Sequence, residues 1–241
     1  TMRDRAIAFV PASGRQCTTL STMFGSHLQG MPIIAENGTY VVRDGVDISS
    51  STIDPNLTRE VITGVRQLRN DGHDVGLVVA TKSIAYLERG DDPFVSHVAT
   101  YYHSHRIVKD LSEHTDDVIK LSIYDFREAS EATYPTMQRT APEHQVILAT
   151  PNWVDIMNPG VNKGSAVEAV QRDLGVTADQ TAIFGDFLND LEMMPMAKWS
   201  FAMANGHPNI VKASNYVAPP NTENGVITVL AALLGTRVPI T

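Results

Sequence analysis

Thr181-Ala182-Ile183-Phe184-Gly185-Asp186-Phe187-Leu188-Asn189-Asp190 is the stretch whose reading sets the fold. Its first four residues form a short apolar run of the length of a buried strand, and Gly185 closes it. Asp186 is thereby delivered to the strand's carboxyl edge, where open α/β sheets hold their ligands. With a helix beginning near Phe187, Asn189 and Asp190 fall on its first turn, close to Asp186. Oxygen-bearing side chains so grouped suit Mg2+, which binds through one or two carboxylates. The same residues also read as an N-capping aspartate with a polar first turn, and the segment alone does not choose.

Working outward, Ser200-Phe201-Ala202-Met203-Ala204 predicts another buried strand, and Val226 to Leu234 an apolar helix. On the amino side, Gly164 to Leu174 predicts a helix with Val167, Val170 and Leu174 on one face. Lys163 stands just before it, where free N–H groups and the helix dipole favour a phosphate. A solvated lysine is the plainer reading of that residue by itself. Gly160 to Ser165 lacks the glycine spacing of a P-loop, which excludes an NTPase of that type.

Near the start of the chain, Ile7-Ala8-Phe9-Val10 predicts a buried strand ended by Pro11. Ser13-Gly14-Arg15 follows and offers a hydroxyl, an unhindered backbone N–H and a guanidinium, a set suited to an oxyanion. A turn with a capping serine is the alternative. Ser13 has no Gly-x-Ser-x-Gly context, so a serine nucleophile is not expected. Gly14 to Gly30 carries Leu20, Met23, Phe24 and Leu28 near helical spacing. Ile33-Ile34-Ala35 is a second apolar run, ended by the turn pair Asn37-Gly38. Strand, helix, strand is the pattern of a parallel α/β unit.

Between about Thr39 and Asp155 the pattern changes. Tyr40-Val41-Val42 with Asp44-Gly45 predicts a hairpin, and Val61, Ile62, Val65 and Leu68 a helix. Val75 to Val79, Val118 to Ile123 and Val146 to Leu148 predict strands. This is a separate α+β module set between two halves of an α/β domain. His97, His103 and His105 are conceivable as a metal site, but no carboxylate pattern supports one and a solvated strand face is preferred. Asp91-Asp92 and Asp116-Asp117 read as exposed loops, and Cys17 as a helix core residue rather than a nucleophile.

Composition narrows the classes. Of 241 residues, 27 are Asp or Glu against 19 Lys or Arg, a net charge of -8 that disfavours general binding of nucleic acid or anionic membrane. Cys17 is the one cysteine, which excludes an internal disulfide and a zinc–cysteine cluster. The mean hydropathy of -0.10 agrees with the lack of any long apolar run. No secretory pattern is visible around Thr1-Met2-Arg3-Asp4-Arg5, so a cytoplasmic setting is the expectation.

Taken together, "FVPASGR", "PIIAENGTYVV", "IMNPGVNKGSAV", "AIFGDFLNDLEMM", "FAMANGHPNIVKASNYV" and "ENGV", in this order, resemble the haloacid dehalogenase superfamily, and within it the Cof-type phosphatases with a C2-type cap (subclass IIB). The resemblance implies an α/β fold: a Rossmann-like core, with a parallel sheet flanked by helices, and an inserted α+β cap. Residues 1–39 would be the first half of the core, cut short at its amino end, 40–157 the cap, and 158–241 the second half. It implies Mg2+-dependent hydrolysis of phosphate monoesters, sugar phosphates or similar small metabolites. Ser13 would hold a phosphoryl oxygen, Lys163 would neutralise phosphoryl charge, and Asp186 would ligate Mg2+. Asn189 and Asp190 would complete or orient the metal site. Gly14, Arg15, Asn37 and Asn189 would contact substrate, and Asn205 would lie near the rim.

One part of the family pattern is missing. The family's first strand ends in Asp-x-Asp, whose first aspartate is the nucleophile and whose second is the general acid/base. No Asp-x-Asp occurs in these 241 residues. The expectation is therefore a chain of phosphatase family without turnover by the aspartyl-phosphate route. The competing reading is a non-catalytic anion-binding or interaction protein derived from such a phosphatase. A sheet lacking its central strand exposes edges that invite pairing with a second chain, so a homo-oligomer is among the expectations.

Overall fold

The structure, a computed structural model, describes residues 2–236. The chain divides into two compact units, Thr1–Val161 and Asn162–Thr241.

The first unit opens with α1 (Cys17–Phe24), followed by β1 (Pro32–Ala35), β2 (Tyr40–Arg43) and β3 (Val46–Ser50). These strands form an antiparallel sheet in the order β1-β2-β3. Asp44 and Gly45 join β2 to β3 with φ of 49° and 79°, the double left-handed turn that suits a hairpin's twist. The strand predicted over Ile7 to Val10 does not form. That segment has no regular structure, Phe9 is exposed, and one parallel bridge, Ala12 to Ile34, represents the ladder. The Ile34 amide donates to the Pro11 carbonyl, and the Ser13 amide donates to the Ile34 carbonyl. Pro11 has no N–H to return, so pairing there stays short. Leu20, Leu28, Ile33, Ala35, Tyr40, Val42 and Ile119 make the core beneath α1. The predicted helix stops at Phe24, and Gly25–Leu28 continue as a 3-10 turn.

The rest of this unit is an α+β arrangement that begins after β3, since β2 and β3, expected in the inserted module, pair with β1 instead. It contains α2 (Pro55–Asn70), β4 (Val75–Thr81), β5 (Ala85–Leu87), α3 (Asp92–Ala99), β6 (His105–Ile107), β7 (Val118–Asp125), α4 (Thr133–Thr140), β8 (Gln145–Thr150) and β9 (Trp153–Met157). The strands form one sheet in the order β6-β5-β4-β7-β9-β8, antiparallel except for the β5–β6 pair. Side chains alternate across it with period two. Leu77, Val79, Leu121, Ile123, Val154 and Ile156 face the core shared with Val61, Ile62 and Val65 of α2 and Met137 of α4. Val78, Ala80, Tyr124 and Trp153 face Phe94 and Val98 of α3. The sheet is thus covered on both faces. Its three middle strands are buried almost throughout, which is why β4 and β7 read as near-continuous apolar runs.

The second unit contains α5 (Lys163–Leu174), β10 (Ala182–Gly185), β11 (Trp199–Met203), α6 (Pro208–Ala213), β12 (Tyr216–Ala218) and α7 (Gly225–Leu233). Its strands pair in parallel in the order β10-β11-β12. Phe184, Trp199, Phe201, Met203 and Ala218 pack against Val226 and Val229 of α7. A 3-10 stretch, Leu188–Met196, follows β10 where a helix was expected, and it contains Pro195. Proline cannot donate the interior hydrogen bond of an α-helix, which accounts for the tighter, irregular winding.

Candidate active site

In the second unit, Asp186 follows β10 at its carboxyl edge, as predicted, and is exposed. Lys163 begins α5, whose amino end carries a reciprocal cap: the Asn162 side chain accepts from the Ser165 amide at 2.9 Å, and Ser165 Oγ accepts from the Asn162 amide at 3.2 Å. Gly164 allows α5 to lie close to the Leu188–Met196 stretch, because a Cβ there would overlap the Glu192 carbonyl. That closeness brings Lys163 to Asp190. Lys163 Nζ donates to Asp190 Oδ1 at 2.6 Å, and both residues are 5% exposed. Asp190 Oδ2 accepts the Asp186 amide at 2.9 Å and the Phe187 amide at 3.4 Å. Asp190 is therefore a hub that holds the Asp186 backbone to the lysine ammonium.

This arrangement separates residues that the sequence grouped together. Both carboxylate oxygens of Asp190 are engaged inside the protein, so its place is in orienting Asp186 and Lys163. Asp186 keeps its carboxylate at the surface, where Oδ2 accepts from Asn221 Nδ2 at 3.1 Å. Asn205 reaches Asp186 through Asn221, donating to it at 2.8 Å and accepting its backbone N–H at 3.1 Å. The Asp186 carbonyl accepts the His207 amide at 2.8 Å. Asn189 is exposed on the stretch between Asp186 and Asp190. Sequence reasoning missed Asn221; its one signal was a polar turn, Asn221 to Gly225, just before an apolar helix.

Among the described residues, no group of three or more His, Cys, Asp or Glu is placed to hold a metal ion. Mg2+ does not require such a cage. It keeps several waters and binds through one or two carboxylates plus phosphate oxygens. An exposed Asp186 with its backbone fixed from behind by Asp190 fits that mode of binding.

In the first unit, Ser13, Gly14, Arg15 and Asn37 lie together. The Asn37 amide donates to the Ser13 carbonyl at 3.0 Å and the Glu36 amide to the Arg15 carbonyl at 3.0 Å. Ser13 Oγ accepts the Arg15 amide at 3.2 Å, which leaves its own proton to donate elsewhere. Gly14 sits so close to Asn37 that a Cβ would lie 2.9 Å from its Oδ1. Arg15 lies over the Tyr101 ring at 5.5 Å. Glu36 and Asn37 have φ of 51° and 58°, left-handed conformations that place both side chains inward.

What they meet there was not anticipated. Lys120 of β7 is buried with its ammonium 2.6 Å from Glu36 Oε2 and 3.6 Å from Asp155 Oδ2, and it donates to the Gly14 carbonyl at 3.0 Å. Asp155 of β9 accepts from Ser122 Oγ at 2.6 Å and from Asn37 Nδ2 at 3.2 Å. Burial alone would lower the Lys120 pKa. The Asp155 and Glu36 carboxylates outweigh burial and hold its pKa well above the ordinary 10.5. Burial pushes the Glu36 carboxyl up from its usual range against the opposing pull of Lys120. The available signal was a lysine inside the otherwise apolar Val118-Ile119-Lys120-Leu121, which reads as one solvated position of an alternating strand.

The other candidates settle simply. Cys17 begins α1, half-buried, with burial raising its thiol pKa, and packs against the α1 core. His103 lies outside any strand, so it and His105 do not share a strand face as expected. His105 Nδ1 is 2.8 Å from the Tyr102 carbonyl, and His97 stacks on Tyr124. Asp91, Asp92, Asp116 and Asp117 are exposed, as read from sequence. Among the described residues no helix is long and apolar enough to cross a membrane.

Parallel strands, a capped helix headed by a lysine and an aspartate at a strand's carboxyl edge define an α/β protein whose ligand edge suits an anion. The sequence profile of the haloacid dehalogenase-like hydrolases matches residues 1–230, and the chain belongs to that family. It is 29% identical over 244 residues to the 5-amino-6-(5-phospho-D-ribitylamino)uracil phosphatase YbjI of Escherichia coli strain K12, an alignment covering 99% of this chain and 87% of that protein. The solved structure of SMU.1108c from Streptococcus mutans UA159 has a TM-score of 0.82 at 23% identity, covering 98% of this chain and 88% of that one. The HAD subclass IIB sugar phosphatase BT4131 has a TM-score of 0.76 at 20% identity, covering 97% and 87%. At these identities the structural likenesses establish the fold.

Proposed function

We propose that the chain carries the phosphoryl- and Mg2+-binding parts of a phosphate monoester hydrolase whose substrate is a small phosphorylated metabolite, a sugar phosphate or a relative of one. Support comes from membership of the family and from the names of its relatives, a phosphoribityl-uracil phosphatase and a sugar phosphatase. The observation that carries the reading is the buried Lys163–Asp190 pair at 2.6 Å, tied directly to the backbone of Asp186. An ammonium at a helix amino end and a carboxylate at a strand's carboxyl edge are the two charges that phosphoryl transfer needs, since its catalysis is mainly positioning and charge stabilisation.

In this reading Ser13 donates its hydroxyl proton to a phosphoryl oxygen, and the Gly14 and Arg15 segment lines the same oxyanion site. Lys163 has three ammonium protons. Asp190 takes one, which leaves two that a phosphoryl group could accept. Asp186, with Asn189 beside it, would hold Mg2+, and the metal when bound polarises a phosphoryl oxygen and offsets developing charge. Asp190 orients both partners from behind. In the same reading residues 40–157 are the cap and 1–39 and 158–241 the two core segments. With no Asp-x-Asp among these 241 residues, our reading is binding without turnover by the aspartyl-phosphate route.

The test uses the 241-residue chain with p-nitrophenyl phosphate and, separately, inorganic phosphate titrated with and without Mg2+. The expected result is no Mg2+-dependent release of nitrophenol, together with phosphate binding that Mg2+ strengthens and that Asp186→Asn uncouples from the metal. Robust turnover would overturn the non-catalytic assignment. Failure to bind phosphate at millimolar concentration would overturn the phosphoryl site.

A further inference from the structure

The sheet of the first unit uses one face of β7 and β9 for two different purposes. Further along that face Tyr124 and Trp153 pack under α3. At its other end Lys120, Ser122 and Asp155 form a buried polar patch, Ser122 and Asp155 being directly paired in register. The Tyr102 hydroxyl joins it at 3.0 Å from Ser122 Oγ.

Buried ion pairs are a weak source of stability, because apolar residues of equal volume often serve as well. The patch must then be judged by what its groups touch. Lys120 bonds the Gly14 carbonyl, Asp155 bonds the Asn37 side chain, and Glu36 itself comes from the turn after β1. Three successive contacts thus hold two loops against two adjacent strands. The loops are also laced to each other, Asn37 to Ser13 and Glu36 to Arg15. An apolar side chain could fill the space of Lys120, but it could not hold a carbonyl at a set distance.

We propose that Lys120 is a positioning residue: by fixing the Gly14 carbonyl to the β7 strand, it sets where the Ser13 hydroxyl points. The proposal rests on the phosphoryl-binding role given to Ser13 above. Lys120 itself has no access to a ligand. Its effect passes through the peptide that joins Gly14 to Arg15, and so through the Arg15 amide that donates to Ser13 Oγ.

Single removal of Lys120 leaves two buried carboxyl groups and risks unfolding, so the informative variant is the uncharged triple Lys120→Met, Glu36→Gln, Asp155→Asn. It is compared with Glu36→Gln, which retains the Lys120–Gly14 bond. Hydrogen exchange of the Ser13 and Asn37 amides is expected to speed up by about tenfold or more in the triple variant, with the Val78 and Val79 amides unchanged, and affinity for inorganic phosphate with Mg2+ to fall by a similar factor. Glu36→Gln should retain both. A triple variant with native exchange at Ser13 and Asn37 would overturn the proposal, because charge balance would then be the whole role of Lys120. If the triple variant does not fold, the native chain still decides. A bonded, buried ammonium gives a slowly exchanging 15Nζ–H signal with a through-space cross-peak to Gly14, and exchange as fast as that of exposed lysines would refute the bond. If the native chain shows no phosphate-induced shifts at residues 13–15, the phosphoryl-site reading fails, and the exchange comparison still tests Lys120.

Discussion

Asp190 and Asp186 lie four positions apart and do different work. Asp190 is buried, bonded through both oxygens, and faces an equally buried lysine. Breaking such a pair on one side strands the other charge, so Asp190→Ala is expected to cost about 3–5 kcal/mol in urea unfolding. A loss below about 1 kcal/mol would show that the pair is solvated. Glu36 supplies a second prediction, one of pH. Its carboxyl titrates above the ordinary 4.5 because of burial. The folded chain therefore holds that proton more tightly than the unfolded chain does. The associated stability is present below 4.5 and is lost as the pH rises through the folded value. Glu36→Gln has no such proton to lose. The melting temperature of the variant relative to the native chain should rise with pH across that window, and a constant difference would contradict the assignment. Lys120 titrates well above 10.5, so its charge is constant throughout the experiment.

Helix α5 shows how an element can serve a site through its packing. Its amino end is set by the Asn162–Ser165 cap, and its approach to Leu188–Met196 by Gly164. Gly164→Ala would improve helix propensity by up to ~1 kcal/mol on that ground alone. The overlap with the Glu192 carbonyl reverses the sign, and a net loss of about 1–3 kcal/mol is expected in denaturant unfolding, with the Lys163–Asp190 contact displaced. A stabilised variant would show that the two segments are less closely packed than described. Strand β7 gives the complementary lesson. Its alternation buries Leu121 and Ile123 on one side and Lys120, Ser122 and Tyr124 on the other. Periodicity identified the strand, but it says nothing of whether the second face meets water or protein.

Each of the two units contains its own apolar clusters. Those of Thr1–Val161 join α1 to β1 and β2, α2 and α4 to one face of the six-stranded sheet, and α3 to the other. A fragment spanning residues 1–161 is accordingly expected to fold alone and melt cooperatively. Its Val78 and Val79 amides, in the buried middle of the six-stranded sheet, should keep the exchange protection that they have in the whole chain. A fragment with the circular dichroism of a disordered chain would show that its core is incomplete without the second unit.

Strands β1, β2, β4, β7, β8, β10 and β11, the hairpin at Asp44-Gly45, the helices α2, α5 and α7 and the place of Asp186 were legible in the chain, whereas the short strands β5, β6, β9 and β12 were not. Each legible feature depends on local periodicity or on turn chemistry within a few residues. Ser13 and Lys163 were singled out because their neighbours match a family pattern. Three things depended on partners distant in sequence. The segment Ile7–Val10 is apolar enough for a strand but pairs through a single bridge. Asp190 resembles a metal ligand until Lys163, 27 residues away, takes its Oδ1. Lys120, Glu36 and Asp155 are unremarkable polar residues until the fold brings them together, Glu36 and Asp155 lying 119 positions apart. Burial of charge is a property of the packed chain: a residue's own type shows what it can donate or accept, and only the assembled neighbours decide which donor or acceptor it meets.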